Sequence, residues 1–522
     1  MNTFTLTGID LSIVIGYLLA VVILGFYIGR KHEGAEDYFL AGRNLTWPFI
    51  GFSLFASNMS SNSLVGLTGA GYITGFSVFS YEWMAVLVLI IFAVFFLPFY
   101  LKNKVYTVPE FLERRFNYNV RAYASSIAII LNVIVDVAAT LYAGGVLVQL
   151  IFPGLELWMI ISVLAVVAGL YTISGGLTAV VYTDAIQAII LIFGSILITI
   201  FAWQESGGMS EVMKITEPSH FNIVKSTSDA ELPWPGLFGV FIIGFYFWGT
   251  NQYITQRTLA SKSTTEGQWG SMFAGLLKLS ILFIMIFPGV FARVIYPEVE
   301  NVDQLYPTML FDLLPVGILG IVLAGFIAAL MSSIDSGLNS VSTLVTMDFI
   351  AKFRPNKTTA ELMKAGRIVT LIVMVIATAW APQIVHFDKL WDYLQQALSW
   401  FCPPIVALFA VGLFWKKANT NGAYWGIIIG SIITVLAIIF NDAPWKPNFL
   451  YVATIHFIIS ALAMIAGSLA KPETSTEVNS AVFSVDAYRQ ETTELKNLPW
   501  YKNYRIQGLI LVIFVIIILI IF

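Results

Sequence analysis

The sequence predicts an all-α polytopic membrane protein, and three observations carry that prediction. Of 522 residues 58% are hydrophobic and only 11% are charged, against about 25% charged in soluble globular domains. The mean hydropathy is +0.82, and no polar block offsets it, which excludes a soluble catalytic or regulatory domain on a small anchor. Apolar stretches long enough to cross a bilayer recur along the whole chain. They must be helical, because in lipid only helices and closed barrels satisfy every backbone group, and barrel strands are shorter and alternate in polarity. Charge excludes another class: 28 Lys and Arg against 31 Asp and Glu give a formal net charge of −3, with no basic run to grip nucleic acid. The lone Cys402 sits in an apolar segment and reads as a small buried filler.

Fourteen spans are predicted, at roughly 9–29, 47–74, 80–101, 122–152, 155–173, 178–203, 236–256, 268–297, 314–346, 366–384, 390–414, 422–441, 449–470 and 506–522. No cleavable signal peptide is expected, since no Lys or Arg precedes Arg30 and the first apolar run is too long for one. Basic residues are retained in the cytoplasm. With the amino terminus outside, only Lys214, Lys225, Arg293, Lys389 and Lys446 face outward, Lys278 lies within the membrane, and the remaining Lys and Arg fall inside. Both termini are then outside. The loop 204–235 is exterior, the stretch 471–505 is cytoplasmic, and neither reads as a folded domain.

The second span is interrupted at Ser57-Asn58-Met59-Ser60-Ser61-Asn62-Ser63, with Gly66, Gly69 and Gly71 following. Such a run is either a Ser-rich packing face or a discontinuous helix whose freed carbonyls form a midplane binding site. The seventh span breaks similarly at Phe247-Trp248-Gly249-Thr250-Asn251-Gln252. Each break opens a run of five spans, so the chain divides into a leading helix with its loop (1–46), a five-helix unit (47–203), the exterior loop (204–235), a second five-helix unit (236–414) and three trailing helices (415–522). Paired breaks in corresponding positions predict an inverted-repeat transporter.

Ionisable residues inside the spans are Glu82, Asp136, Asp184, Lys278 and Asp335, each costly unless paired or solvated. Glu82 and Lys278 read as a pair across a central cavity or as separate structural plugs; Asp136 reads equally as a satisfied packing carboxyl or a functional one. In the ninth span Ser332, Asp335 and Ser336 are spaced i, i+3, i+4 and share one helix face. Their oxygens suit a hard cation such as sodium, or the face is a small-residue packing surface. The four histidines, His32, His220, His386 and His456, lack the spacing of a transition-metal site.

Several motifs together resemble the sodium/solute symporter family, most of all its bacterial sodium/galactose and animal sodium/glucose cotransporters. These are Asp37-Tyr38-Phe39-Leu40-Ala41-Gly42-Arg43, GGLTAVVYTDAIQ from Gly175 to Gln187, QRTLASKS from Gln256 and GLFWKK from Gly412. The likeness covers roughly residues 30–420 in order. It implies the leucine-transporter fold, two inverted five-helix repeats that alternately expose a central site. It also implies co-transported sodium held by the backbone of Ala56 and Met59 with Ala329, Ser332 and Ser333. By the same resemblance Asn58, Glu82, Lys278 and Gln395 contact a sugar, with Tyr81 and Trp391 as gates. In members with two sodium ions the extra site maps to Asp184, Ser332, Asp335 and Ser336, Asp335 replacing a hydroxyl. Three positions depart from the sugar transporters: Ser63 replaces a Gln or His contact, Gly244 an Asn, and Phe247 a gating Tyr. Such changes alter hydroxyl recognition and leave the particular substrate open.

The leading expectation is inward symport of sodium with a neutral hydroxyl-rich solute, a monosaccharide or polyol, in the cell membrane, a bacterial inner membrane above all. A sodium/amino-acid or carboxylate symporter of the same fold is the alternative; Lys278 offers it a cation that Glu82 opposes. No clustered nucleophile and base or metal spacing points to an enzyme. A sensor would need an attached signalling domain, which the sequence does not suggest.

Overall fold

A computed structural model describes residues 6–29, 34–152, 154–387, 390–441, 443, 447–472 and 482–522. Arg30, Lys31, His32, Lys389 and Lys446, used above in the charge and histidine readings, lie outside the described residues, as does part of the 471–505 stretch. Among the described residues the regular structure is all helical, with two isolated β-bridges, Leu45 to Ser261 and Lys225 to Pro233. Among the described residues ten helices are long and apolar enough to cross a membrane, and shorter apolar helices occur at Gly8–Val21, Leu157–Gly169 and Trp234–Thr250.

Burial orders these helices from centre to rim. In the segment Ile318–Phe353 83% of the apolar window is buried, against 22% in Tyr504–Ile521, so the former is the axis of the bundle and the latter faces lipid. The helix Ile318–Leu344 packs along Leu157–Glu205, and Gly8–Gly29 lies against both. Gly176 (φ 56°) interrupts Leu157–Glu205 between the two spans expected there; only glycine adopts that backbone freely. Trp47–Asn58 packs against Thr264–Leu279. A Cβ on Gly51 would lie 2.4 Å from Phe273 Cδ1, and one on Gly270 would lie 2.6 Å from Ile50 Cγ2. These two glycines let the backbones approach, the usual device where helices must associate without a hydrophobic driving force.

The expected breaks are local structures with local causes. The helix Trp47–Asn58 ends at Met59, and a new helix, Ser61–Thr74, starts behind Ser60, whose hydroxyl accepts from the Ser63 amide. The seventh span runs Leu237–Phe245, then a π-helical turn Tyr246–Thr250, then restarts at Gln252–Leu259 behind Asn251, whose Oδ1 accepts from the Tyr253 amide at 3.0 Å. Ser and Asn are strong N-caps, so the residues that break each helix also begin the next. Further π-helical turns occupy Phe92–Phe96 and Leu282–Ile286, each followed within two residues by a proline, Pro98 and Pro288, that removes a helical donor. The π turn Asn132–Val137 has no proline near it and carries Asp136.

Candidate functional site

The last carbonyls of a helix have no intrahelical donor. At the first break, Tyr253 Oη donates to Ser57 O at 2.7 Å and Ser63 Oγ donates to Asn58 O at 2.7 Å. Among the described residues no donor reaches the carbonyls of Ala56 and Met59. Packed against this break is Ile318–Leu344, which carries Ala329, Ser332 and Ser333, all buried. Ser333 Oγ has no hydrogen-bond partner among the described residues, whereas Ser332 Oγ donates to Asp184. Two open carbonyls and a buried unpaired hydroxyl are the oxygen ligands a hard, partly dehydrated cation takes.

Beside the break lies a cavity. Asn58, Ser63, Tyr81, Glu82, Phe247, Lys278, Trp391 and Gln395 all line it, so the structure brings together every residue that the resemblance gave to the solute. Lys278 Nζ pairs with Glu82 and donates to Asn58 Oδ1, and it stands 5.2 Å from the centroid of Trp248. Both charged partners are nearly sealed, with side chains 1% and 6% exposed. Two acceptors in the lining, Asn62 Oδ1 and Gln395 Oε1, are buried and have no donor among the described residues. Tyr81 and Trp391 meet edge to face, centroids 5.2 Å apart. The pair borders a second, smaller pocket as well, which places it between the two.

Several lining residues were not singled out from sequence. Asn62 lies within the polar run at the first break, at the start of the new helix, and that run is the available signal. Trp248 lies within the second break and Tyr253 just past it. Asp136 reaches the cavity wall from its π turn. Gly244 also lines the cavity, where its lack of a side chain leaves room in place of a polar contact.

A third cluster lies next to the first break. Asp184, fully buried, accepts from Ser53 Oγ at 2.5 Å, from Ser57 Oγ at 3.3 Å and from Ser332 Oγ. Arg257 completes it, Nη2 lying 3.5 Å from Asp184 Oδ2 and also donating to Ser336 Oγ. The structure thus joins Asp184, Ser332 and Ser336, while Asp335, equally buried, is outside Asp184's set of hydrogen-bond partners. Arg257 was read from sequence only as a cytoplasmic positive charge. It is 1% exposed.

Residues 38–430 match the model of the sodium:solute symporter family. The chain is 34% identical to a sodium/glucose cotransporter of Vibrio parahaemolyticus, over 92% of this chain and 95% of that one. It is 34% identical to a sodium/myo-inositol cotransporter 2 of Oryctolagus cuniculus, over 84% of this chain and 71% of the relative. Among solved structures, a substrate-bound, outward-open Na+-coupled sialic acid symporter aligns with a TM-score of 0.80 at 26% identity, covering 90% of this chain and 99% of the other.

Proposed function

The chain belongs to the sodium:solute symporter family, and from that premise we propose that it takes up a neutral, hydroxyl-rich solute, a monosaccharide or polyol, by alternating access. Its multi-pass helical architecture and its co-transported ion, sodium, follow from the family itself. The solute reading rests above all on Asn62 Oδ1 and Gln395 Oε1, buried acceptors of two cavity-lining side chains that have no donor among the described residues. A buried polar atom left unmade is costly, and a hydroxyl supplies the missing donor. Relatives named for glucose and myo-inositol fit the same chemistry.

The carboxylate alternative has the sialic acid symporter in its favour. Against it stands Lys278, which already pairs with Glu82 and Asn58; among the described residues the lining holds no other cation. A carboxylate would have to compete with Glu82 for it.

In this reading sodium binds at Ala56, Met59, Ala329, Ser332 and Ser333, and Tyr81 with Trp391 closes the cavity from the outer side. The chain crosses the membrane fourteen times as two inverted five-helix repeats, 47–203 and 236–414. The leading helix (1–46), the exterior loop (204–235) and the trailing helices (415–522) flank them. Both termini are outside a bacterial inner membrane. Counterflow in proteoliposomes, with labelled sugars, polyols, amino acids and sugar acids and with or without sodium, tests the proposal. Sodium-dependent exchange of neutral polyhydroxy compounds is expected; exchange confined to carboxylates replaces it with the alternative.

A further inference from the structure

The helix Thr264–Leu279 packs against both Trp47–Asn58 and Tyr504–Ile521, and the three leave a groove that shares no residue with the solute cavity. Polar groups gather at one end of it. There Trp269 Nε1 donates to the Lys502 carbonyl at 3.0 Å and Gln507 Nε2 to the Tyr501 carbonyl at 2.7 Å, which fixes the short turn Trp500–Lys502 at the mouth of the groove. Lys502 is exposed and, among the described residues, belongs to no ion pair. The carboxylate at this end, Glu266, accepts from the Trp47 amide at 2.6 Å. Trp47, Tyr501 and Trp500 are 37%, 56% and 63% exposed, the amphipathic rings that collect where a bilayer meets water. From Trp269 to Leu276 and from Gln507 to Phe514 both helices climb two turns, about 10 Å, and the lining becomes apolar: Phe273, Leu276, Ile510, Leu511 and Phe514.

We propose that this groove binds one anionic phospholipid, with its phosphate on Lys502 and an acyl chain along Phe273, Leu276, Ile510 and Phe514. A lipid is the occupant because the groove opens toward the bilayer: only 22% of the apolar window of Tyr504–Ile521 is buried. The headgroup is anionic because a zwitterionic one would bring its own ammonium against an ammonium that has no counter-charge. In the orientation proposed above, the mouth opens on the cytoplasmic leaflet, where anionic lipids attract lysines near the surface. Trp47 is also the first residue of the first broken helix, so the lipid contacts the helix that ends at the first break. The inference depends on neither the solute reading nor the sodium ligands.

Native mass spectrometry of the delipidated full-length protein in detergent reads the affinity of the first lipid bound, for palmitoyl-oleoyl phosphatidylglycerol and for phosphatidylcholine with the same chains. Phosphatidylglycerol is expected to bind roughly fivefold more tightly, and Lys502→Gln to remove that advantage while leaving phosphatidylcholine unchanged. Lys364→Gln, at an exposed lysine of the helix Thr359–Trp380, should alter neither. Leu276→Trp fills the apolar half from a position already 46% exposed and should weaken both lipids. Excess inorganic phosphate, a headgroup charge without a chain, should displace nothing. Equal affinity for the two lipids overturns the proposal, as does an equal loss in both lysine variants, which would mean that general surface charge gathers the lipid. Displacement by phosphate would make this a free-anion site, and unchanged binding in Leu276→Trp would place the lipid elsewhere; either result refutes the groove. If Leu276→Trp does not fold, the comparison of Lys502→Gln with Lys364→Gln decides.

Discussion

Tyr253 Oη donates a 2.7 Å hydrogen bond to the carbonyl of Ser57, tying the restarted half of one broken helix to the terminated half of the other. Both residues are buried, 3% and 1% exposed, so the bond has no water to replace it. The carbonyl it satisfies lies next to Ala56 and two residues before Met59, the pair left open for a cation. Tyr253→Phe keeps the ring and removes the donor. Leaving a buried carbonyl unpaired costs about 1–3 kcal/mol of stability, and the backbone that presents Ala56 and Met59 loses its tie to the other broken helix. Thermal stability should fall and half-saturating sodium should shift, while a transport assay at saturating sodium should still show uptake. An unchanged sodium dependence would detach this bond from the cation site.

Ser333→Ala separates a ligand role from a packing role by its sign. The hydroxyl is buried without a partner among the described residues, so without sodium its removal relieves an unmade bond and adds a better helix former. Melting temperature in sodium-free buffer should hold or increase. The stabilisation that sodium adds to the native protein should shrink, because binding to the folded state alone stabilises it according to affinity. Equal sodium stabilisation in both proteins would remove Ser333 from the ligand set.

Gln395→Ala removes one of the two open acceptors in the cavity. Loss of a hydrogen bond to a buried polar partner is expected to weaken solute binding by about 1–3 kcal/mol, roughly five- to 150-fold. Sodium binding in the absence of solute should not change, since Gln395 lines the solute cavity and belongs to no part of the cation set. Isothermal titration with each ligand separately checks both halves. A matched loss of sodium affinity would mean that the residue supports the bundle rather than the solute.

The parts of this architecture that were legible in the sequence are those with local causes. Ser60 and Asn251 announce both helix breaks because the residue types that interrupt an apolar run also cap a new helix. The eight solute-site residues converge on one cavity, but that grouping came from family resemblance; spacing alone left Glu82 and Lys278 undecided between a pair and two plugs. The contact between Arg257 and Asp184 joins positions 73 residues apart and depends on how four helices cross. A basic residue near a helix end reads as a cytoplasmic charge until that crossing is known. The π turn that carries Asp136 has no proline or glycine within it, so nothing in the local pattern marks it.

The loop 204–235 supplies a pH dependence whose sign can be worked out. His220, in the short turn Pro218–Phe221, places Nε2 3.0 Å from Arg293 Nη1, and Arg293 also donates to Tyr72 O at 2.7 Å. Burial, followed by the charges of Arg293 and Lys225, holds the His220 pKa below its usual 6.5. Neutral imidazole accepts from Arg293 through Nε2, which puts the ring proton on Nδ1. Folding therefore favours the deprotonated form: its contribution to stability is complete above 6.5 and is lost as pH falls through the lower, folded-state value. Protonation would set an imidazolium against a guanidinium and loosen the loop where it packs on the turn at Gly75, whose added Cβ would lie 2.0 Å from the His220 carbonyl. In His220→Gln an amide oxygen can accept from Arg293 without titrating. Thermal unfolding measured between about pH 5 and 7.5 should show the native protein losing stability toward acid and the variant losing less. Parallel curves would assign the acid sensitivity to other groups.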